Sequence, residues 1–236
     1  MWRRSRFGGH HVRIAVPSRV LADFVRRVFR RYFPLVLLLW VLLVLYPNPW
    51  GLVASVRRVI SPGIDPVTVT SLSEALPSDP AVIEAMVLQA IPYAYDWETY
   101  GVPWYCPSVE EVLEKGKGDC KSRALVLGSV FEAKDIPYTI SWSPLHVWVD
   151  YEGKEESGLE KTEARFYEQN PETGERSFQL PEVPLREATD LFWKGFWGAM
   201  PEARKVLLFC GLAALVAMRL TWFRRGVADP AQSGYH

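Results

Sequence analysis

The sequence predicts an α+β domain held at a membrane by two hydrophobic segments. Helix signals follow one another from residue 79 to about 133, and alternating strand patterns follow them from 137 to 151. Long apolar runs lie on both sides of this region. The predicted segments are a basic cytoplasmic tail (1–31), a first transmembrane helix (32–56), a linker (57–78), the α+β domain (79–184), an amphipathic helix (185–204), a second transmembrane helix (205–223) and a second cytoplasmic tail (224–236).

The formal net charge of zero conceals a strong asymmetry along the chain. Residues 1–31 carry nine Arg against the single acid Asp23, whereas residues 57–204 carry 14 Lys and Arg against 25 Asp and Glu. Nucleic-acid binding requires clustered Lys and Arg, which the acidic middle lacks. The composition therefore excludes nucleic acid as a partner and predicts different surroundings for the ends and the middle.

The first apolar segment contains no charged residue from Tyr32 to Val56, which is 25 positions. A helix that crosses a bilayer needs roughly 20 apolar residues. The purely apolar stretch before Pro47 is shorter, so a cleaved signal peptide is the alternative interpretation. The long Arg-rich lead favours an uncleaved anchor.

The second apolar segment, residues 206–218, continues after Arg219 through 220–223. Its length is just sufficient for a span, and a buried or interfacial hairpin helix is the alternative. Arg224 and Arg225 follow it, as the nine Arg precede the first segment. Because positive residues mark the cytoplasmic side, we expect a multi-pass protein of the cell membrane with two spans and an extracytoplasmic central domain.

Three helix starts are recognisable inside the domain. Asp79 before Pro80 predicts an N-cap, Ser108 with Glu111 has capping-box spacing, and Asp119 predicts the N-cap of a helix from Cys120 to about Ala133. Apolar residues of this third helix are expected in the core: Ala124, Leu125, Leu127, Val130 and Phe131.

Strands are predicted after the third helix, in YTISW following Pro137 and in HVWVDY starting at His146. The linker at 57–78 is expected to hold one short strand, and the polar stretch after Glu160 to form surface strand and loop. The segment 185–197 presents several aromatic residues. These aromatic residues are expected either at a membrane interface or packed on the domain.

Cys120 and His146 are the residues that carry nucleophilic chemistry. The thiol lies at the first turn of a predicted helix, where the helix dipole favours a thiolate, with Lys121 and Arg123 as further cations. His146 is the only histidine between the two apolar segments. Alternatively, Cys120 is a small buried apolar residue or forms a disulfide with Cys106.

A third member of the site follows from strand geometry. A hairpin centred on Gly153 would place Glu160 directly opposite His146, at about 5 Å on the same face. Asp150 lies on the strand of His146 itself, four steps of about 3.3 Å away. Glu160 is therefore the preferred acid, although a shift of the hairpin centre would change the partner.

The motif GKGDCKSRALVLGSV followed by HVWVDY resembles the transglutaminase-like superfamily. The resemblance covers about residues 80–170 and implies a papain-like core, in which a catalytic helix packs on an antiparallel sheet. It implies Cys120 as nucleophile, His146 as base and Glu160 as orienting acid, where the family usually has Asp. Relatives also carry a Trp near an oxyanion site, and the candidate substrate-binding or oxyanion residues here are Trp104, Tyr105 and Trp148.

The expected function is cysteine-dependent acyl transfer or amide hydrolysis on protein or peptide amides, through a thioester and without cofactor or metal. No EF-hand loop and no Cys/His cluster for zinc is recognisable in the sequence. Two alternatives stay open. One is a catalytically silent peptide-binding module of a membrane complex, and the other is a structural protein with Cys106 and Cys120 joined.

Overall fold

A computed structural model of the protein contains helices and a small antiparallel sheet. It describes residues 18–155, 160, 166–169, 176–178 and 185–227. The predicted α+β class is confirmed at this level. Contacts divide the chain into two units, one of Met1–Val41 with Leu208–His236 and one of Leu42–Leu207.

The helices and strands occupy the following residues. The helices are α1 (Ser18–Leu45), α2 (Pro49–Ile60), α3 (Thr70–Ala75), α4 (Pro80–Ala90), α5 (Asp96–Thr99), α6 (Val109–Lys115), α7 (Cys120–Ala133), α8 (Leu185–Leu191) and α9 (Glu202–Val227), with a π-helix (Phe192–Gly198) after α8. The strands are β1 (Tyr138–Trp142), β2 (Val147–Tyr151), β3 (Tyr167–Gln169) and β4 (Arg176–Phe178). They form one antiparallel sheet in the order β2-β1-β3-β4.

The predicted helix caps in the domain are confirmed. The Asp79 carboxylate accepts hydrogen bonds from the N–H groups of Ala81 and Val82 at the start of α4. Ser108 and Glu111 form both bonds of a capping box at the start of α6. These bonds satisfy amides that a helix start otherwise leaves unpaired.

Helix α7 is the centre of the core. All five residues predicted to be buried there are at most 6% exposed. Val126, Gly128 and Ser129 are buried as well, so α7 is enclosed on every side. It packs against β1 and β2 of the sheet and against α3, α4 and α6.

The expected short strand in the linker is wrong. Residues 57–60 complete α2, and the six-residue helix α3 follows after a turn. Val69 and Leu76 at the two ends of α3 belong to the core cluster. Burial against α7 thus outweighs the β-propensity of the Val and Thr residues here.

The first apolar segment differs from the predicted single helix over 32–56. Helix α1 ends at Leu45, a short break contains Pro47, and α2 leaves at an angle of 80° to the preceding helix. Proline lacks the N–H that would continue the helix, and Asn48 caps the new helix by accepting from the N–H of Trp50. Residues 31–45 of α1 and helix α2 are together long and apolar enough to cross a membrane only if the two bent helices are counted as one span.

The second apolar segment forms a single helix that is long and apolar enough to cross a membrane, over Glu202–Trp222. Within their own unit, α1 and α9 are in side-chain contact. Trp40 Nε1 donates to the Leu208 carbonyl at 3.4 Å, and the Arg219 guanidinium lies 4.4 Å from the Phe33 ring centre. Because earlier residues of α9 meet later residues of α1, the two helices run antiparallel.

The aromatic residues at 192–197, just before α9, are partly packed on the domain and partly exposed. The Phe196 carbonyl accepts a 2.8 Å hydrogen bond from Trp97 Nε1, and the two rings lie edge to face. Phe192 and Trp193 are more than half exposed. Packing on the domain is therefore observed for one side of the segment, while the other side stays uncovered.

Candidate active site

Two glycines set the approach to Cys120. Gly116 ends α6 in the left-handed conformation, with φ of 60°, which glycine adopts without strain. Gly118 forms an isolated bridge with Tyr93, and a Cβ at this position would collide with the side chain of Ser122. In the G-K-G-D-C motif, Gly116 thus ends α6, Gly118 allows a close backbone approach, and Asp119 begins α7.

Cys120 is the first residue of α7, as predicted. The Asp119 carboxylate accepts hydrogen bonds from the N–H groups of Lys121 and Ser122, the second and third amides of the helix. The amide of Cys120 itself is not among those that Asp119 binds. The half-buried Cys120 lines a pocket that also includes His146, Glu160, Trp148 and Tyr93.

His146 lies immediately before β2, one residue outside the strand in which it was predicted. Its N–H donates to Ser143 Oγ at 2.9 Å, and its carbonyl accepts from the Ser143 N–H at 2.8 Å. The Trp148 ring stacks on the imidazole at 6.0 Å with an interplanar angle of 14°. The backbone and the ring plane of His146 are therefore both fixed.

Glu160 contacts His146, as the strand argument predicted. Glu160 Oε1 lies 3.1 Å from His146 Nε2. The hairpin register behind that prediction is not observed, because the structure assigns no strand to Glu155 or Glu160, and residues 156–159 lie outside the described residues. β2 pairs with β1 instead, in a register that joins Tyr138 with Tyr151.

Asp150, the rejected alternative, is bound elsewhere. Its Oδ2 accepts a 2.6 Å hydrogen bond from Ser141 Oγ, and its Oδ1 accepts a 2.9 Å bond from Trp148 Nε1. Asp150 thus holds the indole that stacks on His146.

Lys154, which the sequence analysis missed, binds Glu160, and Glu84 and Tyr151 lie behind Lys154. Lys154 Nζ lies 3.1 Å from Glu160 Oε2 and 2.8 Å from Glu84 Oε1, and it also donates to the Val149 carbonyl at 2.8 Å. Tyr151 donates to Glu84 Oε2 at 2.7 Å. Each oxygen of Glu160 therefore has its own cationic or imidazole partner. Nothing in the local pattern of Glu84, which lies on α4, indicated this contact.

The charges of His146 and Glu160 follow from these contacts. Burial lowers the pKa of His146, but hydrogen bonds with Cys120 and Glu160 outweigh it and raise the pKa to about 9. Burial likewise raises the pKa of Glu160, yet its bonds with His146 and Lys154 hold that pKa below its usual value. At neutral pH the imidazole is therefore a cation between a carboxylate and the sulfur. Because Nε2 faces Glu160, Nδ1 is the nitrogen left for Cys120.

Lys121 and Arg123 both lie near the thiol, and each is bound to other groups. Lys121 is buried, its ammonium bonds to Asp119 and lies 3.0 Å from Asp96 Oδ2. Arg123 donates from Nε to the Ile91 carbonyl at 2.9 Å, and its guanidinium lies 5.3 Å from the Tyr93 ring centre. Lys121 mainly neutralises two buried carboxylates, whereas Arg123 lines the pocket of Cys120.

Two of the three candidate oxyanion residues use their donor groups in other contacts. The Tyr105 hydroxyl donates to Glu111 Oε1 at 2.8 Å, and the indole of Trp148 donates to Asp150. The Trp104 carbonyl accepts from the Tyr46 hydroxyl at 3.3 Å. Neither Trp104 nor Tyr105 lines the pocket of Cys120, which Tyr93 does line. Burial and the nearby Cys120 both raise the pKa of Tyr93, so its phenol stays protonated as a donor.

Cys106 and Cys120 are separate thiols in the structure. Cys106 is 5% exposed, and burial raises its pKa to about 11 in spite of the nearby cations Lys121 and Arg58. A thiol in such surroundings is inert.

Within the described ranges, no group of three or more His, Cys, Asp or Glu side chains could hold a metal ion. In comparisons with known proteins, no family model, no curated protein and no solved structure matches this chain.

Proposed function

We propose that the protein is a membrane-anchored, cysteine-dependent acyl transferase or amide hydrolase of transglutaminase-like type, acting on protein or peptide amides. The observation that carries the proposal is that Cys120, His146 and Glu160 line one pocket, with Glu160 Oε1 3.1 Å from His146 Nε2. A nucleophile, a base and an orienting acid in this order are the elements of a thiol triad.

The environment of the series supports catalysis more than structure. A buried histidine without such partners would lose its charge, but the pKa of His146 is raised to about 9. The surrounding groups therefore stabilise an imidazolium in the pocket that Cys120 lines. Trp148 stacks on His146, and Lys154 holds Glu160.

The proposed reaction proceeds through a thioester. The Cys120 sulfur, having given its proton to His146, attacks the amide carbonyl carbon and forms the carbon–sulfur bond. The imidazolium returns that proton to the nitrogen that leaves as an amine. Water or a second amine then attacks the thioester carbon, His146 takes a proton from it, and the thiol is regenerated on release of an acid or a new amide.

Two donors are available for the oxyanion of the intermediate. One is the amide of Cys120 at the helix N-terminus, and the other is the hydroxyl of Tyr93 in the same pocket. Donors fixed before the reaction stabilise the developing charge without reorganisation.

A second hollow adjoins the pocket and supports a chain-like substrate. It is lined by Ala81 and Ala85 of α4, by Tyr151 at the end of β2 and by Glu155 after it. Glu84, Leu88 and Glu160 line both hollows, so a substrate chain can extend from the thiol along α4.

Two spans with both termini in the cytoplasm complete the proposal. The Arg-rich ends and the antiparallel contacts of α1 and α9 support it. Tags at both ends should be protected from protease in intact cells. Digestion of either tag would contradict this topology.

Capture of an acyl group on Cys120 tests the activity. The full chain is incubated with its native envelope, quenched in acid and digested, and the Cys120 peptide is searched by mass spectrometry for an added acyl group that hydroxylamine removes. We expect the adduct in the parent protein and none in Cys120→Ala, with Cys106 unmodified in both. A folded protein that binds peptide but never forms an adduct would instead support the silent module.

A further inference from the structure

Helix α2 exposes an apolar face in unit 2. Trp50 is 75% exposed, Val53 59%, Val56 48% and Ile60 60%. At 100° per residue these positions fall in one arc of about 120°, and Arg57 is the single charged residue inside it. A helix on the surface of a soluble domain shows the opposite arrangement, with its apolar side turned inward.

The opposite face of α2 is polar and bound to the domain. Ser55 is fully buried, and its Oγ accepts a 3.1 Å hydrogen bond from the Cys106 N–H. Arg58 donates to the Cys106 carbonyl at 3.0 Å and to Glu111 at 2.8 Å. These bonds fix the rotation of α2, so its apolar side is held outward.

The surroundings of α2 in its own unit indicate what covers this face. The helix begins four residues after Leu45, the end of the first apolar helix. Arg204, at the start of the helix that is able to span a membrane, donates a hydrogen bond to the Val44 carbonyl. The end of α1 and the start of α9 therefore lie together, and α2 begins a few residues after the end of α1.

We propose that α2 lies in the plane of the membrane surface, with Trp50, Val53, Val56 and Ile60 at the boundary between lipid headgroups and acyl chains. Tryptophan beside aliphatic residues, with an arginine that reaches the phosphates, is the composition of interfacial helices. The exposed Phe192 and Trp193, ten and nine residues before α9, supply a second contact with the same surface. Residues 49–60 are thus an interfacial helix that orients the domain.

The inference rests on the membrane anchor of the proposed function and not on catalysis, so the test uses no substrate. The full chain, with Cys106→Ala, Cys120→Ser and Cys210→Ser, is reconstituted in vesicles of phosphatidylcholine and phosphatidylglycerol. A nitroxide is attached at one introduced cysteine at a time. The positions are Val53→Cys and Ile60→Cys on α2, Val82→Cys as the matched exposed valine on α4, and Val216→Cys on α9.

The measurement is the ratio of collisions with lipid-soluble oxygen to collisions with a water-soluble nickel complex. We expect this ratio at positions 53 and 60 to be several-fold above that at 82 and to approach that at 216. A ratio at 53 and 60 equal to that at 82, with 216 lipid-exposed, would overturn the inference and leave the anchor intact. Low collision rates with both reagents at 53 and 60 would mean that protein covers α2, which also overturns it. A water-exposed position 216 would remove the anchor and the inference together.

Discussion

Cys120 and Cys106 show how two cysteines near the same buried lysine become chemically different. Lys121 acts electrostatically on both sulfurs. Cys106 is buried in the loop before α6, and its pKa is raised to about 11. Cys120 is half-buried at a helix start, and it lines the same pocket as His146. Under the proposed function, the difference between the two thiols lies in an oriented imidazole and access to a pocket, and not in the nearby cation.

The largest expected effect is the loss of thiol reactivity in His146→Gln. Without the imidazolium, the rate of Cys120 alkylation by iodoacetamide at neutral pH should fall about 10²-fold or more, the range of a removed acid–base partner. The rate is measured by mass spectrometry of the Cys120 peptide in a Cys210→Ser background.

Cys106 is the internal control for that experiment, and it should stay unlabelled in both proteins because it is buried. Equal rates at Cys120 with and without His146 would contradict the proposed pair.

Lys121→Met tests the cation that the two cysteine regions share. Its removal leaves Asp96 and Asp119 buried without their counterion, and breaking a buried ion pair costs about 3–5 kcal/mol. Burial and Asp119 already raise the pKa of Asp96 to about 6. Urea unfolding of the variant should show this loss of free energy, and Lys115→Met, an exposed change in α6, should show almost none.

Glu160→Gln and Lys154→Met test the support of His146. Loss of either partner leaves the imidazole less firmly held, and we expect turnover of the trapped acyl group to fall about 10 to 100-fold, as for the removal of an outer partner of a reactive group. Glu152→Gln is the matched control, because Glu152 is an exposed carboxylate in the same turn. A loss as large in Glu152→Gln would indicate a general effect of surface charge.

The pH dependence of His146 gives a smaller, directional effect. Its pKa is raised to about 9 from 6.5, so the stability contributed by the imidazolium is complete below pH 6.5 and is lost as the pH rises through about 9. Glu160 is one cause of the raised pKa, so Glu160→Gln should shift the imidazole titration to lower pH. Nuclear magnetic resonance of the ring protons measures both proteins, and an unchanged titration would contradict the contact.

Much of the Cys120 region was predictable because its signals are local. Caps such as Asp79, Ser108 and Asp119 act within one turn of a helix, and the start and end of α7 agree with the prediction. The contact of His146 with Glu160 was also expected, although the hairpin register behind it is not observed. For this contact, the residue types and their proximity along the chain were enough to predict the pair, although the predicted strand register was not observed.

The Cys106 region and the supports of Glu160 were not predictable, since they depend on long-range contacts. Ser55 and Arg58 meet the Cys106 backbone from about 50 residues away, and Glu84 meets Lys154 across 70 positions. The break of the first apolar segment did carry a local signal, Pro47 followed by the cap Asn48. Hydropathy outweighed that signal in the prediction of a helix over 32–56.

The smallest effect concerns the anchorage of the Cys106 loop. Ser55→Ala removes the acceptor of the Cys106 N–H and leaves a buried donor without its partner, which costs about 1–3 kcal/mol. Because Ser55 is far along the chain from the triad, Cys120 alkylation should keep its parental rate. Ser61→Ala, exposed at the end of α2, should leave the free energy of unfolding unchanged. If Ser55→Ala instead slowed Cys120 alkylation as much as His146→Gln, the two cysteine regions would be one coupled unit, and the contrast between them would no longer hold.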